Sequence, residues 1–253
     1  GALTTYCMYG PELIRRSTLT NDALKSISSE ELLSCIRGLS GLRHRVLYYG
    51  PVAKGKLVQT LNNSHHLADN LVDVEYEPAQ MKYVTEPTVT FAQYDAKQVY
   101  YRQYSCREQD KFDVALDPLV NIYNSYFAGG MNSIVFQEMR EARGLAYSAY
   151  ANLAEGLTGK NPYCFSAFIA TQNDKIHQAV EAFDDIIENM PQSEAAFELS
   201  KQGILANIAT NRTTKMSVLW TYVDNLQMGI DSNIDRNKAV YEQIKDMTLA
   251  DVV

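Results

Sequence analysis

The chain has 253 residues, of which 46% are hydrophobic and 21% charged, with a formal net charge of -7. This length and apolar content allow one large or two modest domains with a real core, and they argue against long disordered stretches. The acidic balance argues against nucleic acid as a partner, because phosphate recognition needs clustered Lys and Arg. No apolar run approaches the roughly 20 residues of a membrane span. We therefore expect a soluble protein without membrane contact, and its compartment, cytoplasmic or periplasmic, stays open.

The cysteines are widely spaced and form no Cys-x-x-Cys pair. A zinc cluster or a redox motif would need closer spacing. We expect small buried side chains with free thiols, and two disulfides are the alternative if the protein is exported. The four residues are Cys7, Cys35, Cys106 and Cys164.

The first seventy residues carry their own sequence signals. Ser28 followed by Glu31 predicts a capping box at the start of a helix. Residues 45–49 form a β-type run that ends at Gly-Pro (residues 50–51), and a second helix follows at once. Strand, tight turn and helix is the order in which an α/β layer is closed. We interpret residues 1–70 as the end of a preceding α+β domain.

Helical and strand periodicity fade over residues 71–86, which are acidic and contain proline, so we interpret them as a linker. Beyond it, residues 89–92 and 99–104 have the composition of strands. Residues 112–127 are predicted to form a helix, because Asp-Pro is a helix-start signal and apolar residues then recur at helical spacing.

A second helix is predicted from residue 132 or 133 to Gly144, where a left-handed cap is favoured. Residues 145–152 then alternate at strand spacing, and residues 163–170 return as an apolar strand, which together predict a hairpin. Long helices follow. Residues 87–253 are thus predicted to form a second α+β domain, with helices on one face of a largely antiparallel sheet. We expect it to be truncated in its C-terminal helix, and the chain to be an excised fragment.

The histidine spacing argues against a catalytic zinc site in this chain. A hydrolytic zinc needs about three protein ligands, commonly two His on one helical face and a carboxylate. Neither His-Glu-x-x-His nor His-x-x-Glu-His occurs. The adjacent pair of histidines is at most a weak metal contact, and a polar helix end is the favoured interpretation. The four histidines are His44, His65, His66 and His177.

Other enzyme signatures are also missing. Gly129-Gly130 precedes a helix and in principle suits an anion at the helix start. The segment lacks the Gly-Lys-Ser/Thr of a phosphate loop, and it does not follow a strand as a dinucleotide motif does. No Gly-x-Ser-x-Gly elbow occurs. The sequence therefore predicts no self-contained catalyst.

One continuous block, residues 126–148, has an unusual order: helix, glycine break, helix, glycine cap, strand. Arg140 lies in the last turn of its second helix, and Tyr147 lies at the start of the following strand. A tight reversal between them would bring a guanidinium and a phenol to the same side of a cleft, where Arg binds peptide carbonyls and Tyr donates to an oxyanion. The structural alternative is a cation at a helix C-terminus and a half-buried strand aromatic.

This block, YFAGGMNSIVFQEMREARGLAYS, resembles the second-domain signature of the pitrilysin family of zinc peptidases, which includes insulin-degrading enzyme and the mitochondrial processing peptidase. The family typically has Met-x-Ser-x-Leu-Phe-x-Glu and then Arg-Glu-x-Arg-Gly-Leu-Ala-Tyr-Ser. The chain departs from it at Ile134-Val135, where the family often has Arg-Leu. A weaker resemblance extends over most of the chain, including residues 31–51.

The resemblance implies a clam-shell of two halves, of which only one holds zinc. The other half lends an arginine and a tyrosine seven residues apart, and Arg140 and Tyr147 occupy those motif positions. Gly129 and Gly130 match a substrate-sensing loop of processing-peptidase relatives, although the loop is short here. The zinc motif is missing from the chain, so zinc is expected in a partner half.

These observations predict the substrate-binding, catalysis-supporting half of a zinc endopeptidase that acts on peptides or unfolded chains and is inactive alone. Its expected partners are a peptide substrate and an N-terminal zinc-binding half, on the same or another chain. Arg140 would bind a substrate carbonyl or carboxylate, and Tyr147 would hydrogen-bond the oxyanion. The alternative is a non-catalytic structural or chaperone-like subunit of the same fold.

Overall fold

The computed structural model of the protein describes residues 1–74, 79, 81–93 and 95–253. Those residues form two compact units, each treated by itself: unit 1 comprises Gly1–Lys82 and Thr214–Leu219, and unit 2 comprises Tyr83–Thr213 and Trp220–Val253. The proposed linker, residues 71–86, falls in part outside the described residues, at 75–78 and 80. Within the described ranges, no helix combines the length and the apolar character that crossing a bilayer requires.

Unit 1 consists largely of short helices. The capping box predicted at Ser28 is present: its Oγ accepts from the N–H of Glu31 at 3.2 Å, and the Glu31 carboxylate accepts from the N–H of Ser28 at 2.7 Å. The second bond stabilises the carboxylate and lowers the pKa of Glu31. The helices are α1 (Ala2–Tyr9), α2 (Pro11–Ser17), α3 (Asn21–Ser26), α4 (Ser29–Gly38) and α5 (Lys54–Ser64).

The strand predicted at residues 45–49 is wrong. In the described part of unit 1, β-pairing is limited to a single parallel bridge between Leu42 and Val72. Backbone donors and acceptors of a strand need a neighbouring strand, and residues 45–49 have none there. Their side chains are accordingly exposed, Val46 by 50% and Tyr49 by 54%. High β-propensity marked this segment, but propensity supplies no pairing partner.

Unit 2 is built on a three-stranded antiparallel sheet with the order β1-β3-β2. The strands are β1 (Gln98–Lys111), β2 (Ser148–Ala154) and β3 (Pro162–Gln172). The predicted hairpin is confirmed as β2 and β3, and β1 is longer than predicted. The further strand predicted at residues 89–92 is wrong, because that segment is unpaired and Val89 and Phe91 are 94% and 88% exposed.

Helices pack on one face of this sheet and close the core. Ala151, Ala167 and Ile169 face inward and belong to the same buried cluster as Phe183 and Phe197. This arrangement confirms the predicted α+β fold class. The helices of this unit are α6 (Asp117–Tyr123), α7 (Ile134–Phe136), α8 (Ile176–Glu188), α9 (Glu194–Thr210) and α11 (Arg236–Ile244). A further helix, α10 (Lys215–Met228), has its first residues in unit 1 and the remainder, from Trp220, in unit 2.

Cys106 and Cys164 form a disulfide, so the expectation of free thiols is wrong for this pair. The two residues lie directly opposite each other on β1 and β3, with their Cα atoms 4.4 Å apart. A separation of 58 residues along the chain hid this register from the sequence. Cys7 and Cys35 are free, but they are exposed rather than buried.

An ion network joins three separate elements of unit 2. Arg236, the first residue of α11, donates to both carboxylate oxygens of Asp117 at 2.6 and 2.7 Å. It also donates to the Glu155 carboxylate at 3.1 and 2.6 Å. Its guanidinium lies 5.6 Å from the ring centroid of Phe112. The carboxylates raise the pKa of Arg236, because they favour its charged form.

Candidate functional site

The residues that lead into the 126–148 block form a helix that ends in a π-helical turn. Helix α6 passes into this turn at Asn124–Ala128, and the N–H of Gly129 closes it on the Asn124 carbonyl at 2.8 Å. The Asn124 side chain exchanges two hydrogen bonds of 2.8 Å with the backbone of Leu153 in β2. The end of the helix is thereby fixed to the sheet. Single π-helical turns occur often at functional sites.

The glycine break is held by the helix that follows it. Gly130 has φ 91°, a conformation that favours glycine. Ser133 donates from its hydroxyl to the Gly130 carbonyl at 2.9 Å, and its Oγ accepts from the N–H of Phe136 at 3.3 Å as the N-cap of α7. The Gln137 amide donates to the carbonyl of Met131 at 2.6 Å. The glycine break is therefore a turn whose backbone carbonyls are fixed by side-chain hydrogen bonds from α7 and its N-cap.

Arg140 lies in a second π-helical turn, Gln137–Ala142, which continues α7. The carbonyl of the fully buried Met139 accepts from the N–H groups of Leu145 and Ala146 at 3.0 and 3.2 Å. Gly144 has φ 58°, so the left-handed cap that the sequence predicted is present. These bonds reverse the chain between the helix and β2.

Side chains from β3 and its following turn fix the reversal. The hydroxyl of Thr171, a residue only 2% exposed, donates to the Leu145 carbonyl at 2.6 Å. Lys175 donates from Nζ to the Gly144 carbonyl at 3.4 Å. Buried carbonyls rarely lack a donor, and the Thr171 hydroxyl satisfies that of Leu145, two residues before Tyr147.

Arg143 joins the same reversal to α8. Its guanidinium lies 3.4 Å from the Glu138 carboxylate and 3.2 Å from that of Asp185. The pKa of Asp185 is lowered mainly by a hydrogen bond from the Asn189 amide and next by a hydrogen bond from Arg143. The side chains of Arg143 and Asp185 are 35% and 53% exposed. Their ion pair therefore adds little to the free energy of unfolding, and its main effect is to orient Arg143.

The reversal brings Arg140 and Tyr147 together. The guanidinium carbon of Arg140 lies 5.0 Å from the ring centroid of Phe136 and 6.0 Å from that of Tyr147. Both distances are within the range of cation–π contacts. The Arg140 side chain is 47% exposed and Tyr147 is 73% exposed. Two aromatic rings thus orient a guanidinium that still faces solvent.

The backbone holds Tyr147 and leaves its phenol open. The N–H of Tyr147 donates to the Ala170 carbonyl at 2.8 Å, which attaches it to β3. Among the residues that the structure describes, none is hydrogen-bonded to the Tyr147 hydroxyl. Arg140 has one ion-pair contact there, with Glu141 at 3.6 Å. Donors on both side chains therefore remain available to a ligand.

Gly129 and Gly130 lie on the other side of α7 in sequence, and no hydrogen bond within the described ranges connects them to Arg140 or Tyr147. A Cβ on Gly129 would lie 3.6 Å from the Asn124 carbonyl oxygen, which is ordinary contact, and one on Gly130 would meet open space. The need for glycine at 130 comes from its positive φ of 91°.

Sequence reasoning missed three residues of this site. Phe136 lies four positions before Arg140, a spacing at which helical side chains meet, and that signal was available. Asn124 and Thr171 act on Leu153 and Leu145 from distant parts of the chain. No local pattern reveals such bonds, because they depend on the tertiary fold.

Residues 1–74, 79, 81–93 and 95–253 contain no group of three or more His, Cys, Asp or Glu side chains placed to hold one metal ion. The candidate site itself consists of a cation, two aromatic rings and a phenol. Its chemistry is hydrogen bonding to carbonyl, carboxylate or oxyanion groups.

Residues 85–204 match the family described as the peptidase M16 inactive domain. This match and the fold confirm the resemblance to zinc peptidases of the pitrilysin type. Residues 85–204 are thus similar to the inactive domain of M16 peptidases. No curated protein matches the chain in sequence.

Solved structures share the fold at low sequence identity. A peptidase M16 inactive domain from Pseudomonas fluorescens has a TM-score of 0.58 at 14% identity, over 92% of this chain and 54% of that one. A conserved protein from Enterococcus faecalis has a TM-score of 0.63 at 14% identity, with the same coverage. A mutant of the ferredoxin protease FusC, in complex with Arabidopsis ferredoxin, has a TM-score of 0.67 at 11% identity, over 99% of this chain and 27% of that one. The chain thus spans about half the length of the first two structures and less than a third of the length of FusC.

Proposed function

We propose that this chain supplies the substrate-binding, catalysis-supporting part of a zinc endopeptidase whose metal is held by another half, on the same or a separate chain. The observation that carries the proposal is the pairing of Arg140 with Tyr147, whose guanidinium and ring centroid are 6.0 Å apart and exposed. The match of residues 85–204 to the peptidase M16 inactive domain supports it. By this proposal the chain alone hydrolyses no peptide.

Arg140 would bind a carbonyl or a carboxylate of the peptide. A guanidinium offers a planar fork of donors that suits both groups. The rings of Phe136 and Tyr147 limit the rotamers of Arg140 before the substrate arrives. Less side-chain entropy is then lost on binding than for a free arginine.

Tyr147 would donate from its hydroxyl to the oxyanion of the tetrahedral intermediate. A donor that is fixed before the reaction stabilises charge that develops in the transition state. The hydrogen bond between the Tyr147 N–H and Ala170, together with the Thr171 bond to Leu145, keeps the residue in place. Zinc, its water and the general base would come from the other half.

The test uses a quenched fluorescent peptide with the chain alone, with the zinc-binding half alone and with both. We expect hydrolysis only when both are present. In that assembly, Tyr147→Phe should lower kcat by tens-fold or more, as the loss of one oxyanion donor does. Tyr150→Phe is the matched control, because Tyr150 is also an exposed tyrosine on β2.

Arg140→Gln should raise KM more than it lowers kcat, because it removes substrate binding. Arg212→Gln is its control, since Arg212 is exposed in unit 2. A Tyr147→Phe rate within about twofold of the parent would exclude the oxyanion role. If the complete assembly binds zinc but does not hydrolyse the peptide, the result would instead favour the non-catalytic structural or chaperone-like subunit.

A further inference from the structure

Two histidines of unit 1 meet through their ring nitrogens. The Nε2 atoms of His44 and His65 lie 2.7 Å apart, and their rings are nearly perpendicular with centroids 4.9 Å apart. The sequence drew attention to the adjacent His65 and His66, but the partner of His65 is a residue 21 positions earlier. Two Nε2 atoms at this distance must share one proton or a cation, because two lone pairs or two N–H groups repel.

Main-chain hydrogen bonds hold both histidines. His44 follows Arg43, whose N–H donates to the Val72 carbonyl at 2.7 Å. His65 follows the last residue of α5, and its N–H donates to the Leu61 carbonyl at 2.7 Å. The backbone at both histidines is therefore held in place by hydrogen bonds, which keeps the two rings close together.

The surroundings determine the tautomer of His44. Its Nδ1 lies 2.7 Å from the Leu42 carbonyl oxygen, which can only accept. Nδ1 therefore carries a proton, and in the neutral ring Nε2 presents a lone pair to His65. A histidine that ligates a metal typically donates its other ring N–H to a carboxylate or a backbone carbonyl in this way.

We propose that His44 and His65 bind a divalent transition ion through their Nε2 atoms, in place of the shared proton. Zn–N bonds of about 2.0–2.1 Å at a tetrahedral angle separate two nitrogens by about 3.3 Å, roughly 0.6 Å more than here. Both side chains are exposed, so a small rotation of either ring provides this space. Imidazole pairs suit Zn²⁺, Ni²⁺ and Cu²⁺.

Water would fill the other coordination positions, because the described residues provide no third ligand group. The site is thus open and exchangeable. It lacks the His-x-x-Glu-His pattern and a general base, so it is separate from the zinc of the proposed peptidase. The inference does not depend on the proposed function.

The experiment is a Zn²⁺ titration of the untagged 253-residue chain, followed by calorimetry and by ¹H–¹⁵N correlation spectra of the imidazoles. We expect one equivalent to bind, with shifts confined to His44 and His65 and with Nδ1 of His44 protonated throughout. His44→Ala and His65→Ala should each weaken binding by about tenfold or more. His66→Ala is the matched control, because it removes an exposed neighbouring imidazole outside the pair.

Substoichiometric Ni²⁺ localises the site independently, since its paramagnetism broadens nearby amide signals. Broadening around residues 42–44 and 64–66 that disappears in His44→Ala would support the proposal. The proposal is overturned if His66→Ala weakens Zn²⁺ binding as much as His65→Ala. It is also overturned if millimolar Zn²⁺ leaves both imidazoles unchanged. Circular dichroism of each variant confirms that lost binding is not lost folding.

Discussion

Replacing Arg236 with methionine tests how strongly the ion network holds unit 2 together. The substitution keeps an unbranched stem that can pack near Phe112, and it removes the hydrogen bonds to Asp117 and Glu155. Asp117 is only 5% exposed and would be left buried without its partner. Glu155 would regain water more easily, because its side chain is 35% exposed.

Breaking a buried ion pair by removing one partner costs about 3–5 kcal/mol. The partial exposure of Arg236, 22% for its side chain, favours the lower end, about 3 kcal/mol. For a protein of this size, each kcal/mol shifts Tm by about 2–4 °C. We therefore expect Arg236→Met to lower the Tm by about 6–12 °C in a calorimetric melt.

Lys238→Met is the matched control, because it removes the same charge from an exposed position of the same helix. It should change stability by no more than about 0.5 kcal/mol. Adding Asp117→Asn to Arg236→Met should recover part of the loss, since the unpaired charge is then gone. A Tm for Arg236→Met within about 2 °C of the Lys238→Met variant would refute the reasoning.

Three further predictions concern single positions. Gly159→Ala should destabilise unit 2 by about 1–3 kcal/mol in urea unfolding, because a Cβ there would overlap the Met228 carbonyl. Burial raises the pKa of Tyr163 from 10.0 to about 12, so its contribution to stability is complete below pH 10 and is lost as the pH rises towards 12. Tyr163→Phe should therefore flatten the fall of the urea midpoint over that range and remove one late tyrosinate step at 295 nm. Thr171→Val should lower the free energy of unfolding by about 1–3 kcal/mol, because the Leu145 carbonyl loses its donor. In the assembled peptidase the same variant should lower kcat, and Thr171→Ser should restore it.

A different result would contradict each of these three predictions. Gly203→Ala, at a helical glycine with open space around it, should stabilise by about 0.5–1 kcal/mol, and an equal loss in both glycine variants would deny the close approach at 159. An unchanged alkaline titration in Tyr163→Phe would show that the phenol of Tyr163 is not one of those that ionise late. If Thr171→Ser behaves like Thr171→Val, the hydroxyl is not what fixes the reversal.

Local signals predicted the helix ends well. Ser28 and Gly144 each adopt the cap that their sequence context indicated. Such caps involve hydrogen bonds within a few residues, so a single stretch of sequence contains both partners. The hairpin of β2 and β3 was predictable for the same reason, because one turn joins its strands.

Long-range pairing was not predictable. Residues 45–49 and 89–92 have strand composition but no partner strand among the described residues, and composition cannot supply one. The disulfide between Cys106 and Cys164 depends on a strand register that only the folded sheet defines. At the site, the spacing of Arg140 and Tyr147 was readable as a family resemblance, while the two π-helical turns around them were not.

The bond between Asn124 and Leu153 has a consequence for how the sheet ends. Strand β2 is an edge strand, and an edge normally exposes a row of free N–H and C=O groups on which another chain can build. The Asn124 amide occupies both groups of Leu153 and so mimics one residue of a missing strand. A foreign strand aligned along β2 would lose its pairing at that point. One side chain thus interrupts the row of free backbone groups along this edge of the sheet.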